Sequence, residues 1–192
     1  MPRVFVDTNV LFPFSVMDLM PALSEDGVHD VMWTDRLLDE WERVIVRERQ
    51  RSVDAAAAIV ASVREFFRDT RIREESYRNL VSQVDGPDSD DCHHMAAAVA
   101  AQVRFVITWN SRDFESTFLD RHGVCVVDPD TYLCELYGQL PGEVLAAIRR
   151  LAAGKRRPPM TPADVTDALA KAGVPRFASA VRRHLDGCGD GE

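Results

Sequence analysis

Acidic residues of this sequence follow predicted strands or begin the helices that come after them. Asp7 comes directly after the first apolar run of the chain, and Asp113 lies in the turn after a later one. Glu40 lies one turn into a helix that follows a strand, and Asp90 and Asp91 open an alanine-rich helix. In an open parallel α/β sheet, ligands bind beyond the carboxyl ends of the strands. We therefore expect these carboxylates to meet at one edge of a sheet.

Carboxylates gathered at one sheet edge would repel one another without a counter-charge. A hard divalent cation that prefers oxygen ligands, Mg²⁺ or Mn²⁺, removes this repulsion. Such a cation can lower the pKa of a bound water and neutralise charge that develops during phosphodiester hydrolysis. The pattern therefore predicts a metal site that serves phosphoryl chemistry.

The same residues have a plainer interpretation as helix caps. Asp, Thr and Asn all cap helices well, so Asp7, Thr8 and Asn9 could simply begin a helix, as could Asp90 and Asp91. Capping does not require four ordered acidic positions near strand ends, however. The conjunction therefore favours the metal site.

Glu40 is the least specific acidic position, because Asp39 and Glu42 are close alternatives. We favour Glu40 because it lies between the apolar positions Leu37 and Trp41 near the helix start. A residue on that side of an amphipathic helix faces inward, toward the sheet edge.

Neighbouring side chains could assist the acidic residues. His93 and His94 point about 100° apart on a helix, so both cannot enter one site. His94 lies three residues after Asp91 on the same face, but packing or surface roles are the favoured interpretation for both histidines. Trp109 could stack on a nucleobase or belong to the core, and Arg112 could contact a phosphate.

Strands and helices alternate along the first 137 residues. Short apolar runs predict strands at 3–6, 31–33, 105–108 and 124–127. Apolar spacings and capping residues predict helices at 8–16 with a break near Pro13, 35–49, 54–67, 90–102, 115–121 and 129–137. This alternation predicts an α/β three-layer sandwich, in which a central parallel sheet is flanked by helices.

The remaining residues contain helix signals only. Helices are predicted at 141–153, from Pro162, and from Pro175 to about Leu185, with a frayed tail at 187–192. Thr161 is the predicted N-cap of the second of these, with Asp164 as its reciprocal partner. We therefore divide the chain into an α/β domain, residues 1–137, and a small helical appendage, residues 138–192.

Composition and charge exclude several protein classes. The chain has 192 residues, of which 46% are hydrophobic, and this excludes wholesale disorder. A net charge of −8 argues against a protein that coats nucleic acid through a general basic field. The four cysteines form no CxxC pair, so no zinc ribbon is expected. The apolar runs are too short for a membrane span or a signal peptide, so we expect a cytoplasmic protein.

Four ordered motifs suggest a family. They are Val4-Phe5-Val6-Asp7-Thr8-Asn9-Val10-Leu11, Leu37-Leu38-Asp39-Glu40, Asp90-Asp91-Cys92-His93-His94-Met95-Ala96-Ala97-Ala98 and Ile107-Thr108-Trp109-Asn110-Ser111-Arg112-Asp113-Phe114. The set, which spans about Arg3–Tyr137, resembles the PIN-domain nucleases. Within them it is most similar to the VapC-type ribonuclease toxins of type II toxin–antitoxin pairs, here with a C-terminal helical extension.

The resemblance implies an endoribonuclease that depends on Mg²⁺ or Mn²⁺, acts on RNA and is inhibited by a small antitoxin protein. Asp7, Asp91 and Asp113 are the implied metal ligands, and Glu40 completes the catalytic site or positions water. Thr8, Asn9, Asp90 and Asn110 are the implied supporting residues, and Trp109 and Arg112 are the candidates for RNA contact. Whether Asp90 or Asp91 is the third ligand stays open, as does a homodimer.

Two other protein classes are disfavoured, because the sequence lacks a residue that each of them requires. Two further interpretations stay as alternatives. A haloacid-dehalogenase-type phosphotransferase needs a second Asp two residues after the first, where this chain has Asn9. A receiver domain needs a Lys near its last strands, and residues 1–137 contain no Lys. A PIN nuclease without an antitoxin and a PIN-like binding module without catalysis stay as alternatives.

Overall fold

Four short strands form one parallel sheet. The computed structural model describes residues 1–11, 14–49, 52–85, 88–114 and 117–187. The strands are β1 (Arg3–Val6), β2 (Asp30–Met32), β3 (Phe105–Ile107) and β4 (Cys125–Val127), in the spatial order β2-β1-β3-β4. Val4 pairs with Val31 on one side and with Phe105 on the other. The predicted parallel sheet is thereby confirmed.

The chain divides into two compact units. The first comprises Met1–Phe12 and His29–Val127, and the second comprises Pro13–Val28 and Asp128–Glu192. The helices of the first unit are α1 (Thr8–Leu11), α3 (Asp35–Arg49), α4 (Val53–Phe66), α5 (Glu74–Val81), α6 (Ser89–Ala100) and α7 (Thr117–Arg121). Those of the second are α2 (Phe14–Glu25), α8 (Pro129–Gln139), α9 (Pro141–Gly154), α10 (Pro162–Lys171) and α11 (Pro175–Gly187).

The two central strands carry the core of the first unit. Val4, Phe5 and Val6 of β1 are completely buried, as are Val106 and Ile107 of β3. On α6, residues 95–98 are a methionine followed by three alanines, and they have no solvent exposure either. Small side chains at these positions allow a helix backbone to approach its neighbours closely. The combination of a parallel sheet and helices confirms the predicted α/β fold class.

Helix α3 has the predicted bounds because its start and its buried face are both encoded locally. The Thr34 hydroxyl accepts a hydrogen bond from the backbone N–H of Leu37 at 3.0 Å, so Thr34 is the N-cap of α3. Leu37, Leu38 and Trp41 are buried, as expected from their spacing. Helix α5, in contrast, was not predicted. Its sequence is largely polar, and Tyr77 is its one buried residue.

The second unit is helical. Thr161 and Asp164 form the predicted capping box at the start of α10. Helix α2 continues through Pro21 to Glu25, beyond the predicted end at Val16, because the side chains around Pro21 are buried and the helix packs against α9. Pro13, the predicted break, lies outside the described residues, as does the tail after Gly187.

The predicted domain boundary between residues 137 and 138 falls inside this second unit. The boundary cuts helix α8 near its end, and this helix packs against α9 and α11. The observed division therefore differs from the predicted one by residues 128–137 and 13–28, which belong to the second unit. No described helix has both the length and the apolar character needed to cross a membrane.

Candidate active site

Asp7 and Thr108 join the carboxyl ends of the two central strands. Val6 pairs with Ile107, so the residues that follow them lie side by side, and the Asp7 N–H donates to the Ile107 carbonyl at 3.0 Å. The Thr108 hydroxyl donates to Asp7 Oδ2 at 2.7 Å. Burial raises the pKa of the Asp7 carboxyl, and the hydrogen bond from Thr108 opposes that rise. The aspartate is thus held in one orientation at the sheet edge.

Two asparagines hold the Thr108 hydroxyl in place. It accepts hydrogen bonds from Asn9 Nδ2 at 3.1 Å and from the Asn110 N–H at 3.0 Å. Asn9 Oδ1 in turn accepts from the Trp109 N–H at 3.2 Å. The predicted supporting residues Asn9 and Asn110 therefore act on Asp7 through Thr108.

Glu40 reaches the same edge from α3. The Thr8 hydroxyl donates to Glu40 Oε1 at 2.7 Å and also lies 3.3 Å from Asp7 Oδ1. Burial raises the pKa of Glu40, and the nearby charges of Asp7 and Asp90 raise it further. Asp39, the adjacent alternative, is exposed and forms an ion pair with Arg64 at 2.6 Å. Of these two neighbours, Glu40 is the one that faces the site.

Asp90 and Asp91 have different surroundings in the first turn of α6. Asp90 accepts a hydrogen bond from Arg36 Nε at 3.0 Å, and this contact lowers its pKa. Asp91 forms no such ion pair with a described residue. Burial, followed by the charges of Asp7 and other carboxylates, raises its pKa to about 7. The charges that act on Asp91 include those of Asp113 and Glu40. Asp91 therefore interacts with Asp7, Glu40 and Asp113, which together with it are called the acidic group. Asp90 is instead paired with Arg36.

Asp113 completes the acidic group from a turn of 3₁₀ helix, Ser111–Phe114. Its carboxylate accepts a hydrogen bond from Asn110 Nδ2. Phe114 is buried and anchors this turn, whereas Arg112 is exposed. Trp109 is 38% exposed, which is unusual for a residue of its size. The structure thus leaves both predicted RNA-contact residues accessible near Asn110.

The two adjacent histidines differ in burial. His94 is 1% exposed and lies beside Phe5, with 5.6 Å between ring centroids. Its Nε2 atom is 3.7 Å from Glu40 Oε2, and burial lowers the pKa of the ring to about 4. His93 instead contacts Tyr77 edge-on at 6.1 Å. As expected from helix geometry, only one of them faces the acidic site.

The acidic group has the chemistry of a site for a hard cation. Its four predicted members, Asp7, Glu40, Asp91 and Asp113, offer oxygen atoms only, the donor type that Mg²⁺ and Mn²⁺ prefer. The charges of the other three raise the pKa of Asp91, which is the repulsion that a cation would remove. Within the described ranges, no group of three or more acidic, histidine or cysteine residues already has the arrangement of a metal site. The donor chemistry fits, and the carboxylates would have to draw together around an ion.

Sequence reasoning missed the roles of Thr108 and Arg36. The signal for Thr108 was available, since a hydroxyl residue directly after one central strand must lie beside the residue directly after its parallel neighbour. No local pattern predicted the pairing of Arg36 with Asp90, because these residues lie 54 positions apart.

Comparisons with known proteins agree with these features. Residues 3–112 match the family model described as PIN domain, and residues 129–183 match the model described as VapC50 C-terminal domain. Over 107 residues the chain is 28% identical to a protein of Mycobacterium tuberculosis (strain ATCC 25618 / H37Rv) named "Putative ribonuclease VapC50". That match covers 56% of this chain and 62% of the relative, so the chain spans less than two thirds of the relative's length. No solved structure gives a significant match.

Proposed function

The chain belongs to the PIN-domain family, and from this premise we propose that it is a metal-dependent endoribonuclease that hydrolyses phosphodiester bonds of RNA. The observation that carries the proposal is the convergence of Asp7, Glu40, Asp91 and Asp113 at the carboxyl edge of the central strands. Burial raises the pKa of Asp91 to about 7, and the charges of Asp7, Asp88, Asp113 and Glu40 contribute to the rise. A purely structural role does not require four acidic residues to act on one another at a sheet edge.

Asp7, Asp91 and Asp113 would hold the cation, Mg²⁺ or Mn²⁺. A bound cation of this kind supplies a more acidic water and offsets the negative charge of the reacting phosphate. Asp7 is prepared for this role, because Thr108 donates to one of its oxygens at 2.7 Å and thereby fixes its plane. Asn110 orients Asp113 in the same way through its side-chain amide. Asp90 serves as the partner of Arg36 rather than as the third ligand.

Glu40 would complete the site or position the attacking water. The Thr8 hydroxyl holds Glu40 Oε1 at 2.7 Å. Because burial raises the pKa of this carboxyl, it is a better proton acceptor than a solvated glutamate. A base close to the other acidic groups suits the removal of a proton from water.

Trp109 and Arg112 would contact the RNA strand. Both are exposed, and both lie in the segment that carries Asn110 and Asp113. An indole ring can stack on any nucleobase, and a guanidinium group can bind a phosphate through two hydrogen bonds. These contacts would hold an RNA strand across the acidic group with little preference for its nucleotide sequence.

We further propose that the protein is the toxin of a type II toxin–antitoxin pair. Two observations support this role: the match of residues 129–183 to the VapC50 C-terminal domain, and the similarity to a protein named as a VapC50 ribonuclease. An open acidic site that cuts RNA needs control inside a cell. A small partner that inserts an Arg or Lys side chain among the carboxylates would supply that control.

The nuclease proposal is tested with the purified full chain and a labelled RNA that contains single-stranded and structured regions. We expect cleavage with Mg²⁺ or Mn²⁺ and none after EDTA. Asp7→Asn and Asp91→Asn should each abolish cleavage while circular dichroism stays unchanged, because they remove ligand charge with little change of volume. Asp39→Asn is the matched control: it changes an exposed carboxylate on α3 and should cut like the parent. Full activity of Asp7→Asn and Asp91→Asn at saturating metal would contradict the site.

A further inference from the structure

His94 is buried, and its two ring nitrogens have no hydrogen-bond partner among the described residues. Only 1% of the side chain is exposed. Buried polar groups are almost always hydrogen-bonded, so an unpartnered one needs an explanation. An apolar side chain beside Phe5 would fill the same space without that cost.

The ring is aimed at the acidic group. Nε2 lies 3.7 Å from Glu40 Oε2, whereas Oε1 of the same carboxylate already accepts from Thr8 at 2.7 Å. An N–H···O hydrogen bond is usually about 2.9 Å long, so the gap is roughly 0.8 Å. A small rotation of the Glu40 carboxylate about the Thr8 contact would close it. Hydrogen bonds of this kind are often long in an unliganded site and shorten in the loaded one.

We propose that His94 is a positioning residue that donates a hydrogen bond from Nε2–H to Glu40 Oε2 and, with Thr8, fixes the carboxylate for its task. This inference rests on the proposed nuclease function, because Glu40 is the residue through which His94 acts. A neutral imidazole carries one N–H, so the role requires the tautomer protonated on Nε2. Burial keeps the ring in its neutral form.

Three variants of the full chain separate positioning from packing. His94→Leu removes both nitrogens at similar volume, and His94→Gln keeps an N–H donor near the place of Nε2. His93→Leu is the matched control, since that neighbour contacts Tyr77 and not the acidic group. We expect the kcat of His94→Leu for RNA cleavage to fall about 10- to 100-fold, as for other residues that orient a metal-site carboxylate. KM should stay unchanged, His94→Gln should recover kcat to within a few-fold, and His93→Leu should match the parent.

A second measurement does not depend on catalysis. Long-range ¹H–¹⁵N correlation spectra of the metal-free chain report which imidazole nitrogen carries the proton. We expect the His94 signal to show Nε2–H, and its shift to change in Glu40→Gln but not in Glu42→Gln. This measurement also decides the question if His94→Leu does not fold.

The outcomes distinguish this inference from the nuclease proposal. Parent-like kcat in His94→Leu, no recovery in His94→Gln, or a proton on Nδ1 would each overturn the positioning role. If the parent chain cuts no RNA with either cation, the nuclease proposal is wrong. The spectra would then still show whether His94 donates to Glu40.

Discussion

A single hydroxyl organises the sheet edge. Thr108 donates to Asp7 and accepts from Asn9 and from the backbone of Asn110, so it connects groups that follow both central strands. The residue is completely buried, which excludes water as a substitute partner. Loss of this hydroxyl would deprive the buried Asp7 carboxylate and two partly buried N–H donors of a partner at once.

Thr108→Val should therefore be costly although valine has nearly the same shape. We expect the free energy of unfolding to fall by about 1–3 kcal/mol, because one buried acceptor, the Asp7 carboxylate, and two donors, the Asn9 amide and the Asn110 N–H, lose their partner. RNA cleavage should fall as well, since Asp7 is no longer held. Urea unfolding and a cleavage assay measure the two effects, and Thr108→Ser, which keeps the hydroxyl, should preserve most activity. Equal activity in the valine and serine variants would contradict the role of the hydroxyl.

Asp90 and Asp91 should respond differently to the same substitution. Asp91→Asn removes a charge that other carboxylates oppose, so the metal-free variant should melt at a higher temperature than the parent at pH 8, yet lose cleavage. Asp90→Asn breaks a partly exposed ion pair with Arg36, worth at most about 1 kcal/mol, and should keep cleavage. Thermal unfolding in EDTA makes the comparison. If Asp90→Asn lost cleavage and Asp91→Asn kept it, Asp90 rather than Asp91 would be the third ligand.

At the scale of elements, helix α8 provides the cap of helix α11. Asp130, in the first turn of α8, accepts from the backbone N–H groups of Arg176 at 3.2 Å and Phe177 at 2.8 Å. Pro175 begins α11 and has no N–H, so Asp130 serves the next two orphan donors of that helix. Arg176 Nε also donates to Asp130 at 3.0 Å. A buried carboxylate thus ties two helices of the second unit together.

We predict that Asp130→Ala destabilises the protein by about 1–3 kcal/mol, because it leaves two helix N–H groups and the Arg176 Nε–H without their acceptor. Chemical unfolding followed by circular dichroism measures the loss. Asp167→Ala is the control, since it removes only an exposed ion pair with Arg182 and should change stability by less than about 1 kcal/mol. A larger effect at Asp167 would show that the helices are held mainly by surface charge.

At the scale of the whole molecule, charge is unevenly divided along the chain. Residues 138–192 carry nine Lys or Arg against six Asp or Glu, whereas residues 1–137 carry 14 against 25. Some of the basic side chains are already paired, such as Arg182 with Asp167 and Lys155 with Asp18. Arg156, Arg157 and Arg183 are exposed and form none of the described ion pairs. Such side chains are accessible to phosphates.

Replacement of Arg156, Arg157 and Arg183 by Gln together should weaken RNA binding but leave turnover at saturating RNA unchanged. Each lost contact with a single-stranded phosphate should reduce the salt slope of binding by about 0.7. Fluorescence anisotropy between low and moderate salt measures this slope, with Arg47→Gln on α3 as the control. If the triple variant keeps the parental slope, the C-terminal segment has a packing role only.

Expression in a bacterial host tests the proposed role as a toxin. The parent chain should arrest growth, and Asp7→Asn should not, because arrest depends on cleavage. Coexpression of a small neighbouring gene that encodes a basic arm should restore growth. Harmless expression of a folded chain that cuts RNA in vitro would favour a PIN nuclease without an antitoxin.

Local signals in the sequence determined the elements and the acidic positions. Apolar runs located the four strands to within a residue or two. Capping residues and apolar positions three and four residues apart located α3 at Asp35–Arg49. Asp7 and Asp113 were predictable because a residue that follows a parallel strand lies at the ligand-binding edge. Each of these inferences uses interactions over a few residues, which a sequence displays directly.

Only the tertiary structure decided which side chains meet. Thr108 and Asp7 are 101 residues apart, and Thr8 and Glu40 are 32 apart, so their hydrogen bonds exist only once the strands pair and α3 packs. The same holds for the hydrogen bond from Arg36 to Asp90, which gives Asp90 a cationic partner that Asp91 does not share. Helix α2 continues through Pro21 because packing compensates for a residue that local propensity would place at a break. Contacts between distant segments set these outcomes, and no local pattern contains them.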